Sequence, residues 1–231
     1  MFGGVSAEHE VSIVTGLQAL EHVDTAHYEP IVVYISKKGV VSALPTLQNR
    51  KEFLTAKRTS ATFGRDKKGG YISFGFPTKK IYPYAAYLAF HGGTGEGGAY
   101  QGLLEACGIP FTSPTQEASV TAMNKQLTKE VLRANGIPTA PSARLFASAV
   151  EKNTTDTVQN ILKELPFPII IKPVHLGSSI GISITRTEIE LEKKLIEASA
   201  VDGELLLEPF FSPISEYNCA VRRVNGKIET S

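Results

Sequence analysis

The sequence predicts an α/β protein with two consecutive units, the first built on a parallel β-sheet and the second incomplete. Three observations support this prediction. The first 114 residues alternate predicted strands with predicted helices, as in parallel sheets covered by helices. A proline-containing connection near residue 138 is followed by further strands and helices. The 231-residue chain has 42% hydrophobic and 20% charged residues, which is typical of a globular protein.

The first predicted unit opens with a helix. Ser6 is a suitable N-cap for a helix that runs through about Leu20. Val11, Val14 and Leu17 recur there at helical spacing. The further predicted elements of this unit are strands at Pro30–Ile35, Tyr71–Phe76, Ala85–Phe90 and Ile109–Pro114, and a helix at Ala99–Cys107.

The second predicted unit begins after Pro114. Met123, Leu127 and Val131 share one face of a predicted helix, and Gly136 is a suitable end for it. The further predicted elements are a helix at 155–165, strands at 169–172 and 181–185, a helix from residue 187, and strands at 205–211 and 216–224.

Composition excludes several classes of function. The formal net charge of +1 gives no reason to expect nucleic acid as a partner. Two cysteines, Cys107 and Cys219, do not make a disulfide scaffold and favour a reducing compartment. No apolar run is long enough to cross a membrane, and the N-terminus lacks the features of a secretory signal. We therefore expect a cytoplasmic protein without a membrane partner.

The segment FGGVSAEHE could hold a small charged ligand. Paired glycines before a capped helix leave backbone N–H groups free for a carboxylate or a phosphate. Glu8 could bind a ligand ammonium group, but a surface carboxylate stabilised by the helix dipole is the stronger interpretation on this helix alone. The following HEVSI is not a zinc-binding HExxH motif, because Ile13 occupies the position of the second histidine.

The segment HGGTGEGGAYQG lies between a predicted strand and a predicted helix. Its Gly93, Gly95 and Gly98 match the GxGxxG pattern of dinucleotide sites, but the next strand ends without the acidic residue that would bind a ribose. Nicotinamide binding is therefore set aside. His91 stands at the carboxyl end of a strand, where ligand sites form in α/β folds, and a purely structural histidine fits equally well.

The segment PIIIKPVHLGSSIGIS places Lys172 at the end of an apolar strand. The following Gly177, Ser178 and Ser179 can fold over a polyanion and offer N–H and hydroxyl donors. A further lysine, Lys125, lies on the preceding helix. The segment is not a Walker loop, because GK[ST] is absent. A surface lysine beside a flexible loop is the plainer alternative.

The segment LLLEPFF ends an apolar strand with Glu208. A carboxylate here could accept a hydrogen bond from the amino group of adenine, with Phe210 or Phe211 against the face of the ring. An edge-strand glutamate is again the plainer alternative.

Five motifs occur in an order that resembles the D-alanine–D-alanine ligases of the ATP-grasp superfamily. They are GGVSAEHEVS, HGGTGEGGAYQGLLE with GIPFTSP, MNKQLTK with GIPTAP, IIIKPVHLGSSIGI, and the strand of Glu208 with Glu216 beyond it. The sequence departs from the family at Gly97, which follows Glu96 where Asp is common, and at Asn124 within the MDK motif. The resemblance implies a Rossmann-like, pre-ATP-grasp N-terminal domain followed by an incomplete ATP-grasp domain.

The resemblance also implies domain boundaries and amino-acid contacts. The N-terminal ligase domain would be residues 1–114, the small ATP-grasp subdomain 115–207, and the start of the large one 208–231. Glu8 is similar to the carboxylate that helps hold the ammonium group of the first D-alanine. Ser178 is similar to the serine that orients this glutamate and the substrate, and His91 to the histidine near the substrate carboxylate.

The nucleotide contacts follow from the same resemblance. Lys125 and Lys172 are similar to the two lysines that bind the phosphates of ATP. Glu208 and Glu216 are similar to the contacts of adenine and ribose. The loop Ser178–Gly181 would then cover the phosphates as a flap.

The implied reaction has two steps and needs a metal ion. The carboxylate of one D-alanine would attack the γ-phosphate of ATP, and the amine of a second D-alanine would attack the resulting acyl phosphate. The product would serve peptidoglycan synthesis, and the full-length protein would be a homodimer. The resemblance places the ligands of Mg²⁺ or Mn²⁺ beyond Ser231, so we expect none here and expect this chain alone to be inactive.

The two ends of the sequence leave alternatives open. Only Met1 and Phe2 precede the first glycine pair, so we expect the opening strand of the sheet to be missing. The chain could be a non-catalytic nucleotide-binding module, or a related ligase that uses D-lactate or another second substrate.

Overall fold

The computed structural model describes residues 1–231 and contains two α/β units followed by a hairpin. The strands are β1 (Phe2–Gly3), β2 (Val32–Ile35), β3 (Val41–Leu44), β4 (Thr59–Asp66), β5 (Gly69–Phe74), β6 (Lys79–Ile81), β7 (Ala86–Tyr87), β8 (Phe111–Thr112), β9 (Ala143–Phe146), β10 (Ile169–Pro173), β11 (Ser183–Thr185), β12 (Glu204–Pro209), β13 (Val221–Val224) and β14 (Lys227–Thr230). The helices are α1 (His9–Glu21), α2 (Gly93–Glu96), α3 (Ala99–Cys107), α4 (Gln116–Met123), α5 (Lys125–Ala134), α6 (Ala147–Lys152), α7 (Thr154–Glu164) and α8 (Glu188–Ser199), and a 3-10 turn covers Arg50–Glu52. No helix is both long and apolar enough to span a bilayer.

The N-terminal sheet is parallel where the predicted site lies and antiparallel elsewhere. Strands β1 and β2 pair in parallel, as do β7 and β8. The Met1 amino group donates to the Tyr87 carbonyl at 2.7 Å, and the Ala89 N–H donates to the Met1 carbonyl at 2.9 Å. These bonds join the two parallel pairs and confirm the predicted parallel region. Strands β3 to β6 extend the sheet by antiparallel pairing. The connections β4–β5 and β5–β6 are too short to make a parallel crossover.

The opening strand is present but short, which corrects the expectation that it is missing. Phe2 and Gly3 pair with Tyr34 and Ile35, and Phe2 is buried in the core beside α1. Burial lowers the pKa of the Met1 amino group to about 5, so at neutral pH this group donates its hydrogen bond without a charge. Two residues suffice to align Gly3 and Gly4 with the start of α1.

The second unit is an antiparallel sheet with helices packed against it. The strand order is β11-β10-β12-β9, and the predicted strands at 169–172 and 181–185 are confirmed as β10 and β11. Its core is almost wholly aliphatic and consists of Val150, Val158, Ile161, Leu165, Ile169, Ile171, Leu191, Leu195, Ala198, Leu205 and Leu207. Strand β12 crosses the boundary expected between residues 207 and 208, so Glu208 belongs to this sheet.

Helix α5 differs from the sequence prediction in its start and in its buried face. It begins at Lys125, because the Asn124 side chain accepts a hydrogen bond from the Leu127 N–H at 2.8 Å and caps the helix. Val131, predicted to share one face with Met123 and Leu127, is 43% exposed, whereas Lys129 is only 8% exposed. The helix thus turns a lysine toward the second unit, where that side chain forms an ion pair described below.

The end of the chain is a short exposed hairpin. Strands β13 and β14 pair with each other around the turn at Asn225 and Gly226. The strand predicted at 216–224 begins only at Val221, and the strand predicted at 205–211 ends at Pro209.

Candidate functional site

A cleft of about 400 Å³ lies where four loops meet. One loop precedes α1, one follows β2, one follows β7, and one follows β10. The residues that line the cleft are Val5, Ser6, Ala7, Glu8, Lys37, Gly92, Gly93, Leu176, Gly177 and Ile180. A larger and mostly apolar groove of about 1050 Å³ lies elsewhere on the N-terminal unit and contains none of the predicted site residues.

Glu8 and Ser178 meet in this cleft although 170 positions separate them in the sequence. The Ser178 hydroxyl donates a hydrogen bond to Glu8 Oε1. Ser6 supports the glutamate from the other side: its Oγ accepts from the Glu8 N–H at 3.0 Å and donates to the His91 carbonyl at 2.8 Å. Glu8 is therefore held by both units of the protein: Ser178 contacts its carboxylate, and Ser6 contacts its backbone N–H.

Two glycines allow the loop after β7 to approach Glu8. Gly92 and Gly93 have φ angles of 63° and 54°, in the left-handed region that favours glycine. A Cβ atom on Gly92 would lie 2.4 Å from Glu8 Oε2, and one on Gly93 would lie 2.3 Å from the Val5 carbonyl oxygen. A side chain at Gly93 would push the two loops apart, and one at Gly92 would displace the Glu8 carboxylate.

His91 lies behind the cleft rather than in its lining. Its Nε2 is 2.9 Å from Thr15 Oγ1 on α1, so one ring nitrogen has a fixed partner. No sequence pattern pointed to Thr15, since a threonine inside an amphipathic helix is common. A role of His91 beside a substrate carboxylate stays a prediction.

The loop after β10 has a strained turn. Ser178 and Ser179 have φ angles of 48° and 58°, which a non-glycine residue adopts at a cost of about 1–2 kcal/mol. Its own backbone bonds close the turn, with the Ile180 N–H donating to the Gly177 carbonyl at 3.0 Å. This conformation directs Ser178 at Glu8, while the Ser179 hydroxyl has no hydrogen-bond partner and remains free.

Lys125 is held at the base of this loop. Its Nζ donates to the carbonyl of Pro173 at 2.9 Å and to that of Leu176. Burial lowers the pKa of Lys125; Asp202 opposes this effect, and Lys172 adds to it. An ammonium group has three donors. Two of them are used here, so one remains for an anion above the loop.

His175 fastens the same loop to the rest of the second unit. Its backbone N–H donates to Asp202 Oδ2 at 2.8 Å. In its ring, Nδ1 lies 3.0 Å from Asp202 Oδ1 and Nε2 lies 3.2 Å from Asn124 Nδ2. Burial raises the pKa of Asp202, but the hydrogen bonds from His175 outweigh it and lower the pKa. Asn124 is one of the departures from the family pattern. Its side-chain amide group donates a hydrogen bond to His175.

Glu208 is buried between two lysines. Its Oε2 lies 2.5 Å from Lys172 Nζ, and its Oε1 accepts from Lys129 Nζ. Lys172 pairs with Leu206 across the sheet, so Glu208, two residues further along β12, is its diagonal neighbour on the same face. Burial raises the pKa of Glu208, but the hydrogen bonds from Lys129 and Lys172 outweigh burial and lower it.

Lys129 is the site residue that sequence reasoning missed. The available signal was its position four residues after Lys125, which places both lysines on one face of a helix. The sequence does not show that this face turns inward.

The remaining predicted residues lie apart from these clusters. Phe210 is half-buried, Phe211 is 55% exposed, and Glu216 is exposed on the segment between β12 and β13. Glu216 forms no hydrogen bond or ion pair with its side chain. Roles of these three residues at the base and ribose stay predictions.

Comparison with known proteins gives a consistent result for both units. The family model described as D-ala D-ala ligase N-terminus matches residues 1–114, and that described as D-ala D-ala ligase C-terminus matches residues 131–231. The chain is 36% identical to the D-alanine–D-alanine ligase of Wolinella succinogenes over an alignment 241 residues long. This alignment covers 100% of this chain and 64% of that protein. It is 35% identical to the D-alanine–D-alanine ligase of Thermosipho africanus, with coverage of 96% and 60%.

The solved structures give the same comparison. The crystal structure of D-alanine–D-alanine ligase from Helicobacter pylori matches with a TM-score of 0.82 at 30% identity and covers 100% of this chain and 68% of that one. That from Coxiella burnetii matches with a TM-score of 0.80 at 28% identity. The chain spans 64% and 60% of the length of the two curated relatives named above.

Proposed function

The chain belongs to the D-alanine–D-alanine ligase family, and we propose that its site joins two D-alanine molecules in a reaction driven by ATP. The family assignment does not by itself establish the substrates and the chemistry, because the chain spans less than two thirds of the length of its curated relatives. The substrates and the chemistry are therefore what we propose.

The observation that carries the proposal is the hydrogen bond between Ser178 and Glu8. It joins the amino-acid end of the site, on the N-terminal unit, to the loop of the second unit that would cover the phosphates. A carboxyl group bound beside Glu8 would therefore lie next to a nucleotide bound under that loop. Such proximity is the main requirement for transfer of a phosphoryl group between two substrates.

Charge supports the ammonium group of an amino acid beside Glu8. The carboxylate of Glu8 would attract the ammonium group of the first D-alanine, and a charged hydrogen bond of this kind is stronger than a neutral one. Ser178 fixes the direction of the carboxylate and Ser6 fixes the backbone of Glu8, so the amino acid would be bound in one orientation.

Charge also supports phosphate on the other side of the loop. Lys125 has one donor left, Lys172 uses one donor on Glu208, and the Ser179 hydroxyl is free. These donors would neutralise and orient the phosphates without bulky side chains in the way.

The proposed reaction proceeds in two balanced steps. A carboxylate oxygen of the first D-alanine attacks the γ-phosphorus of ATP, the bond to the β–γ bridging oxygen breaks, and ADP leaves. The neutral amine of the second D-alanine attacks the acyl phosphate carbonyl, loses a proton, and expels inorganic phosphate as the peptide bond forms. The residues of this chain would act mainly by orienting the reactants and by neutralising charge.

The residues of this chain do not fit a magnesium or manganese site. No group of three or more His, Cys, Asp or Glu side chains lies close enough together to hold a metal ion. Mg²⁺ is usually bound by one or two carboxylates together with substrate phosphates. The buried Glu208 is occupied by two lysines, so we derive no step through a metal ion.

The test is the release of phosphate from ATP by the natural full-length gene product. We expect release only with D-alanine, with no release with L-alanine, and one dipeptide formed per phosphate, measured by mass spectrometry. Phosphate release that is independent of D-alanine would contradict the substrate assignment. ATP binding without any turnover would instead favour the non-catalytic nucleotide-binding module, and turnover with D-lactate would widen the second-substrate choice.

The proposal extends to the setting of the reaction. A D-alanyl-D-alanine product is a precursor of peptidoglycan, and consumption of ATP suits the cytoplasm. The homodimer implied by the resemblance stays a prediction, which analytical ultracentrifugation of the full-length protein would test.

A further inference from the structure

We infer that Lys129 is a positioning residue that holds the Glu208 carboxylate in place and thereby makes the site select adenine over guanine nucleotides. This inference rests on the proposed use of ATP. It concerns Lys129, which the sequence analysis did not name among the site residues.

Lys129 is fixed in a way that a surface lysine is not. It is 8% exposed, its Nζ donates to the Ala140 carbonyl at 2.8 Å, and the same group pairs with Glu208 Oε1. Glu208 is itself 7% exposed. A buried charge pair of this kind keeps one geometry, because leaving either partner alone in the interior is strongly unfavourable.

Each of the two carboxylate oxygens of Glu208 pairs with a different lysine. Lys129 occupies Oε1 from the helix side, and Lys172 occupies Oε2 from the neighbouring strand. When phosphate draws Lys172 away, Oε2 becomes a free acceptor, while Lys129 still compensates the charge of the carboxylate. Lys172 can therefore serve a nucleotide without leaving Glu208 as an unpaired buried charge.

A free, ionised Oε2 recognises one kind of base edge. The exocyclic amino group of adenine donates a hydrogen bond to it. Guanine presents a carbonyl oxygen at the same position, and two acceptors facing each other in a dry site repel. The fixed carboxylate thus favours ATP over GTP.

Removal of the Lys129 charge has two expected consequences. Glu208 keeps only Lys172 as a partner, so Lys172 is retained on the carboxylate and lost to the phosphates. The carboxylate also becomes easier to protonate, and a protonated carboxyl group can donate to guanine. ATP binding weakens, and discrimination against GTP weakens with it.

The experiment compares Lys129→Met, Lys129→Arg and the control Lys152→Met in the natural full-length protein. Lys152 is exposed on α6 and its side chain has no hydrogen-bond or ion-pair partner. We expect Lys129→Met to weaken ATP binding by about tenfold or more and to bring the Kd values for ATP and GTP closer together. Lys129→Arg should restore part of the selectivity, and Lys152→Met should resemble the parent protein. In steady-state assays Lys129→Met should raise the KM for ATP and leave the KM for D-alanine unchanged.

If Lys129→Met is unstable, thermal unfolding supplies a second test. The unfolding temperature of each variant is measured in the presence and in the absence of the second substitution Glu208→Gln. A double-mutant cycle without coupling between Lys129 and Glu208 would overturn the inference, as would an unchanged ATP-to-GTP ratio in Lys129→Met. ATP binding without D-alanine-dependent turnover in the parent protein would contradict the proposed function alone. A parent protein that does not bind ATP would contradict both.

Discussion

The two ends of the candidate site are stabilised in different ways. At the proposed amino-acid end, Glu8 lines a cleft, its carboxylate accepts one hydrogen bond from the Ser178 hydroxyl, and glycines bring the backbone close. At the proposed nucleotide end, Glu208 is buried and held by two ammonium groups. The first end therefore depends on shape and the second on charge balance. Substitutions that add volume should damage the first, and substitutions that remove charge should damage the second.

The largest expected effect is at the nucleotide end. Glu208→Leu should lower the free energy of unfolding by about 3 kcal/mol, because it leaves Lys129 as an unpaired buried cation. Urea denaturation would measure this change. Glu151→Leu, at an exposed position without a partner, is the matched control and should change stability little. The double variant Lys129→Leu/Glu208→Leu should recover most of the loss, and failure to recover it would contradict the role of charge balance.

The next effect is steric and lies at the amino-acid end. Gly93→Ala should cost about 2–3 kcal/mol, because its Cβ would lie 2.3 Å from the Val5 carbonyl oxygen at a φ of 54°. Gly136→Ala, at a φ of 74° with nothing within 4 Å, isolates the backbone strain from the collision. Equal losses in the two variants, measured by urea denaturation, would show that the close approach of the loops is unimportant.

A smaller effect follows from the hydroxyl that joins the two units. Ser178→Ala should leave stability almost unchanged and raise the KM for the first D-alanine by about tenfold, since Glu8 loses one oriented donor. Ser178→Gly removes the hydroxyl and also relieves the φ of 48°. The glycine variant should be slightly more stable than the alanine variant with the same loss in KM. Normal kinetics in both variants would remove Ser178 from the site.

The smallest effect is a dependence of stability on pH. The pKa of Glu208 is lowered in the folded state from its ordinary value of 4.5. Its ionised form therefore contributes stability that is complete above pH 4.5 and is lost as the pH falls through the lower, folded-state pKa. Unfolding free energies measured from pH 7 to pH 3 should fall more steeply in the parent protein than in Glu208→Leu. Parallel curves would contradict the assigned pKa shift.

Sequence reasoning was most accurate where a single local pattern decides the structure. The strand ending at Lys172, the helix at 155–165 and the parallel pairing of β7 with β8 were all expected from apolar periods, caps and glycines. It was least accurate for antiparallel pairing and for the face of α5. Strands β3 and β4 lie where the sequence has no clear period. Strand β3 pairs with β4 across a long connection, whereas β4 and β5 form a hairpin around a short turn.

The sequence by itself determined the class of the fold, the order of the motifs, and the residue types that could hold an ammonium group and a polyanion. Those features follow from local propensities and from motif order, which are written along the chain. Only the tertiary structure decided that Ser178 reaches Glu8 across the two units, that Lys125 on α5 binds carbonyls at the loop after β10, and that Lys129 turns inward. The physical reason is that a buried charge is tolerated only beside its partner, and for Lys129 that partner is Glu208 on a strand 79 residues away.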